Sequence, residues 1–243
     1  MKTREIFSNL LSVPPLFVRL DGRGFHGIAD EWGLKRPFDP RFARAMAAVS
    51  ERLIASSGLS ADFAYTFSDE ISLYFSHVPY SGRVEKIDSV TASYAASALT
   101  LEMSSLFPVA FDARIIQVSP AIALRYLADR QAEAWRNHIN AYCHYTLVSE
   151  GKSSHEAAQM LKGLSSSEMH EMMFSRGINL AKTPSWQRRG ILVHKTAKEI
   201  EGFNPLESRV VKTLRTSVRC IKELPVFSSP EGRSFLAGLI HEL

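Results

Sequence analysis

The sequence predicts an α+β fold of the ferredoxin-like type, an antiparallel sheet with helices packed on one face. Two observations lead to this prediction. Strand-like and helix-like segments follow one another in the order β-α-β-β-α-β over the first 120 residues. No internal repeat or low-complexity linker interrupts this order. The order β-α-β-β-α-β is typical of the split βαβ arrangement.

The first half of this pattern is well delimited. An apolar run predicts a strand over residues 15–21. Asp39 and Pro40 then form a typical N-cap and first-turn pair, which predicts a helix over 41–56 that ends before Gly58. Two further strands follow at 62–67 and 71–78, joined by a tight turn, so they are expected to form a hairpin.

The remaining elements are an alanine-rich helix over 84–105 and a strand over 111–118. Helices are expected after it at 121–150, 154–162 and 166–176. We expect residues 1–180 to form one palm-like unit with its helical segment packed on the sheet. Residues 181–243 are expected to form a basic C-terminal extension packed on the same unit.

Composition favours a globular protein with a substantial core, since 45% of the 243 residues are hydrophobic and 22% are charged. Cys143 and Cys220 form neither a disulfide framework nor a metal-binding pair. Polar residues and the Pro14-Pro15 pair interrupt the apolar N-terminal stretch that a signal peptide requires. No run reaches membrane-spanning length, so the cytoplasm is the expected location and no membrane partner is expected.

Positive charge is concentrated towards the C-terminus. The segment 182–222 contains ten Lys or Arg and three Glu, a net charge of +7 in a chain whose total is +4. Within it, Lys212, Arg215, Arg219 and Lys222 recur at helical spacing, which predicts an amphipathic helix with a cationic face ending before Pro225. That face is either simply solvated or a contact for an RNA phosphate backbone.

Two short acidic motifs follow predicted strands, Leu20-Asp21-Gly22-Arg23-Gly24 and Ser68-Asp69-Glu70. In the ferredoxin-like order the third strand lies antiparallel beside the first, so Asp21 and Asp69 are expected to converge. Taken separately, each aspartate is better explained as a turn residue. Together they predict a site for a hard divalent cation such as Mg²⁺, and hence phosphoryl or nucleotidyl transfer.

Four motifs between residues 15 and 195 resemble the tRNA(His) guanylyltransferase family. The first runs from Val18 to His26, and Ser68-Asp69-Glu70 follows at the family's distance. Arg130-Gln131-Ala132-Glu133 resembles the family's Arg-Gln-Ala-Asp segment. The stretch Arg188 to Val193 resembles its basic-basic-Gly-apolar strand. Details around Trp135 to Tyr142 are more similar to the archaeal and bacterial branch.

The resemblance implies a polymerase-type palm that adds nucleotides, G in particular, in the 3′→5′ direction to the 5′ end of tRNA. It implies two Mg²⁺ ions, with GTP and ATP as substrates, and a homo-oligomer, either dimer or tetramer. Asp21 and Asp69 would ligate both ions, with the carbonyl of Gly22 as a further ligand. Glu70 would be a supporting carboxylate of the catalytic site.

The same resemblance assigns further roles. The residues implied in nucleotide binding are Arg23, Gly24, Phe25, His26, Arg36 and Ser68. Those expected to contact RNA or phosphate, from the resemblance or from their helical spacing and charge, are Arg130, Arg136, Asn137, Arg188, Arg189, Arg215, Arg219 and Lys222.

Phe38 stands where eukaryotic family members carry asparagine, which leaves base recognition open. Members of the archaeal and bacterial branch commonly add a nucleotide opposite a template base, so 5′-end repair of tRNA competes with tRNA(His) maturation. Two other classes remain: a palm-type cyclase or another nucleotide-signalling enzyme, and a non-catalytic ferredoxin-like RNA-binding module. The hairpin lacks a Gly-Gly-Asp/Glu-Glu-Phe motif and the strands lack an RNA-binding aromatic motif, which disfavours both.

Overall fold

The computed structural model describes residues 4–204 and 209–241. Its centre is a six-stranded antiparallel sheet in the order β4-β1-β3-β2-β5-β6. The strands are β1 (Leu16–Gly22), β2 (Phe63–Phe67), β3 (Glu70–Phe75), β4 (Phe111–Gln117), β5 (Ile191–Asn204) and β6 (Arg209–Ile221). The first four strands have the predicted ferredoxin-like order, and the fold prediction is confirmed.

Eight helices surround the sheet in the described part of the chain. They are α1 (Phe25–Glu31), α2 (Pro40–Ala55), α3 (Val84–Glu102), α4 (Pro120–Ser149), α5 (Ser154–Leu161), α6 (Ser166–Phe174), α7 (Ser185–Arg189) and α8 (Pro230–His241). The predicted strands and longer helices agree with these bounds to within three residues. The short helices α1 and α7 were not predicted. Among the described residues, no helix is both long and apolar enough to cross a membrane.

Alternation along β1 places its side chains on two differently covered faces of the sheet. Leu16, Val18 and Leu20 belong to a core shared with α2 and α3. Phe17 belongs to the core on the opposite face, which α4 and α8 cover. Because strand side chains alternate, Asp21 also lies on the face towards α4. The sheet is therefore covered by helices on both faces, with α2 and α3 on one face and α4 and α8 on the other.

Capping residues explain where the helices begin. The Asp39 side chain accepts a hydrogen bond from the backbone N–H of Arg41, as the sequence predicted for the start of α2. Ser153 and Ser165 each form a reciprocal capping box with the glutamate three residues later. These local signals explain why the helix boundaries could be predicted closely.

The predicted amphipathic helix around residues 212–222 is wrong. Residues Arg209–Ile221 form β6, which pairs with β5 along its length. A spacing of four residues returns to the same face of a strand as well as to that of a helix, so Arg215 and Arg219 did not distinguish the two. The β-branched residues Thr213, Thr216 and Val218 favour the strand.

The β5–β6 hairpin extends beyond the rest of the sheet. Strand β5 pairs with β2 from Ile191 to His194, and the backbone N–H of Lys195 still donates to the carbonyl of Asp62. From Thr196 to Asn204, β5 is paired with β6. The hairpin lies in the predicted C-terminal extension, and it continues the sheet of the first four strands. The division of the chain at residue 180 stays a prediction.

The C-terminal apolar stretch belongs to the core. Leu236 and Ile240 of α8 are buried with Phe17, Phe63 and Leu127 of the face that α4 covers. Cys143 and Cys220 are both free thiols, as the cysteine spacing predicted.

Candidate active site

Strand register places carboxylates side by side at the end of β1. Asp21 lies opposite Glu70 of β3 on one side and opposite Asp112 of β4 on the other. Residues paired in this way project from the same face, here the face towards α4. We call Glu70, Asp21 and Asp112 the carboxylate row. The predicted convergence of the two acidic motifs is therefore present.

Asp69 lies in the turn that enters β3, beside the row. The backbone N–H of Gly22 donates to the carbonyl of Asp69 over 3.2 Å. A Cβ at Gly22 would lie 2.9 Å from the Cβ of Asp69 and would also collide with the ring of Phe25. Gly22 therefore lets β1 approach this turn closely. Ser68, with φ at 49°, forms the turn and hydrogen-bonds to the Asp69 carboxylate through its side chain.

The carboxylates of Asp69 and Glu70 lie in an environment that disfavours their negative charge. Burial raises the pKa of Asp69 above its ordinary value, and the nearby charge of Asp21 raises it further. Burial also raises the pKa of Glu70, while Arg130 and Arg19 act in the opposite direction. A cation placed between Asp21 and Asp69 would relieve their mutual repulsion.

Helix α4 secures one end of the carboxylate row. Arg130 Nη1 donates to Glu70 Oε2 over 2.9 Å, and both side chains are largely buried. Glu70 Oε1 is buried and has no hydrogen-bond partner among the described residues. At the other end of the row, Arg114 Nε lies 3.3 Å from Asp112 Oδ1. Arginines therefore flank the row, while its centre at Asp21 stays available.

Asp21 and Asp69 suit a hard divalent cation. The described residues contain no group of three or more His, Cys, Asp or Glu side chains arranged to hold a metal. Two carboxylates and the carbonyl of Gly22 provide oxygen ligands alone, which is the set that Mg²⁺ prefers when substrate phosphates complete its coordination. The donor set thus fits Mg²⁺ bound together with a phosphate ester rather than a closed structural metal site.

A cleft of about 410 Å³ begins at Ser68 and Asp69. Its walls are α1, the segment from Leu34 to Asp39, α4 and α7. Of the residues implied in nucleotide binding, it is lined by Phe25, His26, Arg36 and Ser68. Arg23 and Gly24 are exposed in the preceding loop and do not line it. Pockets of this size commonly bind small molecules.

Helix α4 gives the direction of the cleft. Arg130 contacts Glu70 at the carboxylate row, and Ala134, Asn137, Ala141 and Tyr145 follow at spacings of three or four along the lining face. At a rise of about 1.5 Å per residue, Tyr145 lies about 22 Å along the axis from Arg130. The cleft therefore leads away from the carboxylates over a length that suits a nucleoside triphosphate.

Aromatic side chains form the far part of this cleft. The Phe38 ring lies 5.7 Å from the ring of His138, 5.8 Å from that of Tyr142 and 6.2 Å from that of Trp186. Arg36 lies over the ring of Tyr145 at 5.3 Å. Phe38 thus gives this end of the cleft an apolar wall.

His138 fixes the wall behind Phe38. It is fully buried, and its Nε2 atom lies 2.8 Å from the hydroxyl of Thr183. Because the Thr183 hydroxyl donates to the carbonyl of Leu180, His138 Nε2 is the donor to Thr183. Burial, helped by nearby Arg188 and His170, lowers the pKa of His138 to about 4, so it is neutral at pH 7.

The residues expected to contact RNA are divided between several places. Asn137 lines the cleft, and Arg130 is engaged with Glu70. Arg136 forms an ion pair with Glu133. Arg188 donates to the carbonyl of Thr183, and Arg189 to that of Leu224, so both guanidinium groups secure neighbouring segments.

Arg215, Arg219 and Lys222, the C-terminal residues expected to contact RNA, are exposed. Arg215 and Arg219 lie on the same face of β6 as Ile221, the face towards α4, and Lys222 follows the strand. Lys212 lies on the opposite face and forms an ion pair with Glu199 over 2.6 Å. The predicted cationic face is thus reduced to Arg215 and Arg219, with Lys222 just after the end of the strand.

Sequence reasoning missed several residues of the site. Asp112 could have been found by placing the predicted fourth strand beside the first. Gln187 and Tyr145 line the cleft but belong to no motif, so only the packing of α7 and α4 identifies them.

Comparisons with known proteins match nearly the whole chain. The family model described as tRNAHis guanylyltransferase matches residues 1–119, and the one described as Thg1 C terminal domain matches residues 122–223. The tRNA(His) guanylyltransferase of Debaryomyces hansenii is 30% identical over 204 residues, which cover 78% of this chain and 76% of that protein. The chain belongs to the tRNA(His) guanylyltransferase family.

Two further tRNA(His) guanylyltransferases are similar to this chain in sequence. That of Schizosaccharomyces pombe is 29% identical over 78% of this chain and 77% of its own length. The chain spans only 39% of the length of tRNA(His) guanylyltransferase 1 of Arabidopsis thaliana, to which it is 28% identical.

The fold is that of solved family structures. A bacterial tRNA(His) guanylyltransferase (Thg1)-like protein in complex with GTP has a TM-score of 0.72 and 24% identity, over 96% of this chain and 92% of that one. The tRNA(His) guanylyltransferase of Saccharomyces cerevisiae has a TM-score of 0.69 and 22% identity, over 79% and 91%.

Proposed function

We propose that this protein is a nucleotidyltransferase that adds nucleotides, G in particular, in the 3′→5′ direction to the 5′ end of tRNA. The observation that carries the proposal is that Asp69 lines one end of a cleft long enough for a nucleoside triphosphate, with Asp21 close beside Asp69. Family membership supports it, as do the bacterial relatives solved with GTP and with ATP.

Asp21 and Asp69 would hold two Mg²⁺ ions, with the carbonyl of Gly22 as a further ligand. When bound, these ions lower the pKa of the attacking 3′-hydroxyl and neutralise the triphosphate and the leaving group. Glu70, held by Arg130 at 2.9 Å, keeps the row in place and contributes further negative charge beside the ions.

The cleft orients the incoming nucleotide. Ser68 and His26 lie near its phosphate end, and Phe38 and Trp186 lie beside its base. In the reaction, the 3′ oxygen of the nucleotide bonds to the 5′ phosphorus of the RNA. The hydroxyl loses its proton, and the bond from that phosphorus to its leaving group breaks. Pyrophosphate leaves when the RNA end is a 5′-triphosphate, and AMP leaves when ATP has first adenylylated a 5′-monophosphate. Fixed positions for both reactants contribute much of the acceleration in reactions of this type.

We further propose that the added base is selected by pairing with the opposing base of the RNA. The apolar wall around Phe38 offers fewer polar groups than a pocket that reads one base alone. Template-dependent repair of 5′ ends is thus favoured over untemplated guanosine addition. A homo-oligomer, dimer or tetramer, and a cytoplasmic location stay expectations.

Incubation with Mg²⁺, labelled GTP and tRNA, with and without ATP, tests the proposal. Label transferred to tRNA is the expected result. A labelled cyclic or dinucleotide product formed without tRNA would favour a nucleotide-signalling enzyme. Binding of tRNA without any labelled product would favour an RNA-binding module.

A further inference from the structure

We infer that Gln187 reads the base of the bound nucleotide by donating its side-chain amide N–H to a keto oxygen, such as O6 of guanine. Gln187 is the third residue of α7 and lines the cleft. The inference rests on the proposed function, since it gives the nucleotide cleft a preference for a keto base when no RNA base is present to pair with the nucleotide, while pairing still selects the base that is added to RNA. It names a residue outside the four motifs.

The position of Gln187 along the cleft places it at the base rather than at the phosphates. Its side chain is hydrogen-bonded to Tyr142 of α4. Tyr142 lies twelve residues after Arg130, which corresponds to about 18 Å along the helix from the carboxylate row. A triphosphate whose phosphates lie at Asp69 has its base at about this distance.

The contact with Tyr142 also fixes the orientation of the amide. The Tyr142 hydroxyl donates to Gln187 Oε1 over 2.7 Å. Since this bond occupies the carbonyl oxygen, the Nε2 hydrogens are left to point elsewhere, and they form no hydrogen bond with the described residues. Gln187 therefore presents a donor to the cleft.

Two neighbouring polar side chains already form hydrogen bonds within the protein, which leaves the Gln187 amide as an available donor. Asp39 lines the cleft, but both of its oxygens accept hydrogen bonds from Arg41 and the backbone of Lys35, and its side chain is 2% exposed. The amide nitrogen of Asn140 donates to the carbonyl of Arg136. Guanine O6 would accept from Gln187, whereas the adenine amino group would place a donor against a donor.

The ring packing supports a base at this level. Trp186 precedes Gln187, and its ring meets Phe38 edge to face. Both side chains line the cleft and provide apolar surface for a purine ring. Tyr142 contacts the same Phe38 ring at 5.8 Å, so it positions both the amide and the wall.

Equilibrium binding of GTP, ITP and ATP without RNA tests the inference. ITP keeps the keto oxygen of guanine and lacks its 2-amino group. For Gln187→Leu we expect about tenfold weaker binding of GTP and ITP and little change for ATP, since one hydrogen bond is lost. Gln187→Glu, which is nearly isosteric, should favour ATP over GTP. Gln159→Leu on the exposed surface of α5 is the matched control.

Tyr142→Phe should lower the ratio of GTP to ATP affinity, because the amide can then turn its oxygen to the base. Equal losses for all three nucleotides, or no loss in Gln187→Leu, would overturn the inference while leaving the proposed function intact. Failure of the unmodified protein to bind any of the three would instead overturn the proposed function, and the inference with it.

Discussion

The carboxylate row and the β5–β6 hairpin differ in the sign and in the exposure of their charged side chains. Glu70 in the row and Asp69 beside it lie close to Asp21, and both carboxyl groups are partly or fully withdrawn from water. On the hairpin, Arg215 and Arg219 are exposed. Arg215 lies six positions before Ile221, which places it about 20 Å from the end of the strand.

This difference indicates two kinds of function. Concentrated and buried charge is costly without a counterion, so it is informative about chemistry. Dispersed and exposed charge is easily tolerated and contributes mainly to the affinity for a polyanion. Substitutions at the row should therefore abolish a reaction, while substitutions on the hairpin should change binding gradually.

The largest effect is expected at the row. Asp21→Asn and Asp69→Asn should each lower single-turnover nucleotide addition by about a thousandfold or more, because each removes a charged ligand from both ions. Circular dichroism should remain that of the unmodified protein. Asp129→Asn, on the exposed surface of α4, is the control. Addition at a near-normal rate by either folded variant would contradict the metal assignment.

Buried titratable groups should also control stability. The pKa of His138 is about 4 in the folded protein and near 6.5 when unfolded, so protons bind preferentially to the unfolded chain. Stability should fall as pH drops from about 6.5 to 4, by about 3 kcal/mol from this residue.

Urea unfolding of His138→Phe at pH 7 and pH 5 measures the His138 effect. The variant should lose part of the pH dependence over this window, whereas His155→Gln, at an exposed position of α5, should keep it. If the free energy of unfolding differed between pH 7 and pH 5 by as much in the His138 variant as in the unmodified protein, other groups would cause the pH dependence.

A moderate effect is expected on the hairpin. Replacing Arg215, Arg219 and Lys222 by glutamine should weaken tRNA binding about tenfold and reduce its salt slope by about 2 to 3, because fewer counterions are released. A variant with Arg125, Lys152 and Lys162 replaced by glutamine changes the net charge equally and serves as control. Equal behaviour of the two variants would mean that the hairpin face is only solvated.

The smallest effect is again at the row. Without Mg²⁺, Asp21→Asn should raise the melting temperature by about 1 to 3 °C at pH 7, since the charge that raises the pKa of Asp69 is removed. A group whose pKa is raised by folding destabilises the protein above that pKa, so the gain should disappear at acid pH. A lower melting temperature at pH 7 would mean that the two carboxylates do not repel each other.

Local signals made most of the fold predictable. Asp39-Pro40 identified the start of α2, and the element order identified the sheet. The convergence of Asp21 with the Ser68-Asp69-Glu70 turn then followed from topology. The hairpin could not be predicted in this way, because the spacing of Arg215 and Arg219 fits a strand and a helix equally.

The site was predictable to a similar degree. The motifs identified the carboxylates, because these lie at strand ends next to glycine. The base end of the cleft depends on packing between distant segments, such as Phe38 against His138 and Tyr142 against Gln187. No local pattern encodes contacts over such separations in sequence.

The most direct test of the central claim uses tRNAs lacking their first 5′ nucleotide, with each of the four bases opposite the vacant position. The labelled nucleotide is mapped to one end of the product by nuclease digestion, for the unmodified protein and for Asp69→Asn. We predict addition at the 5′ end of the nucleotide complementary to the opposing base, and none by the variant. Label at the 3′ end, or equal addition of G opposite A and opposite C with other nucleotides rejected, would contradict this account.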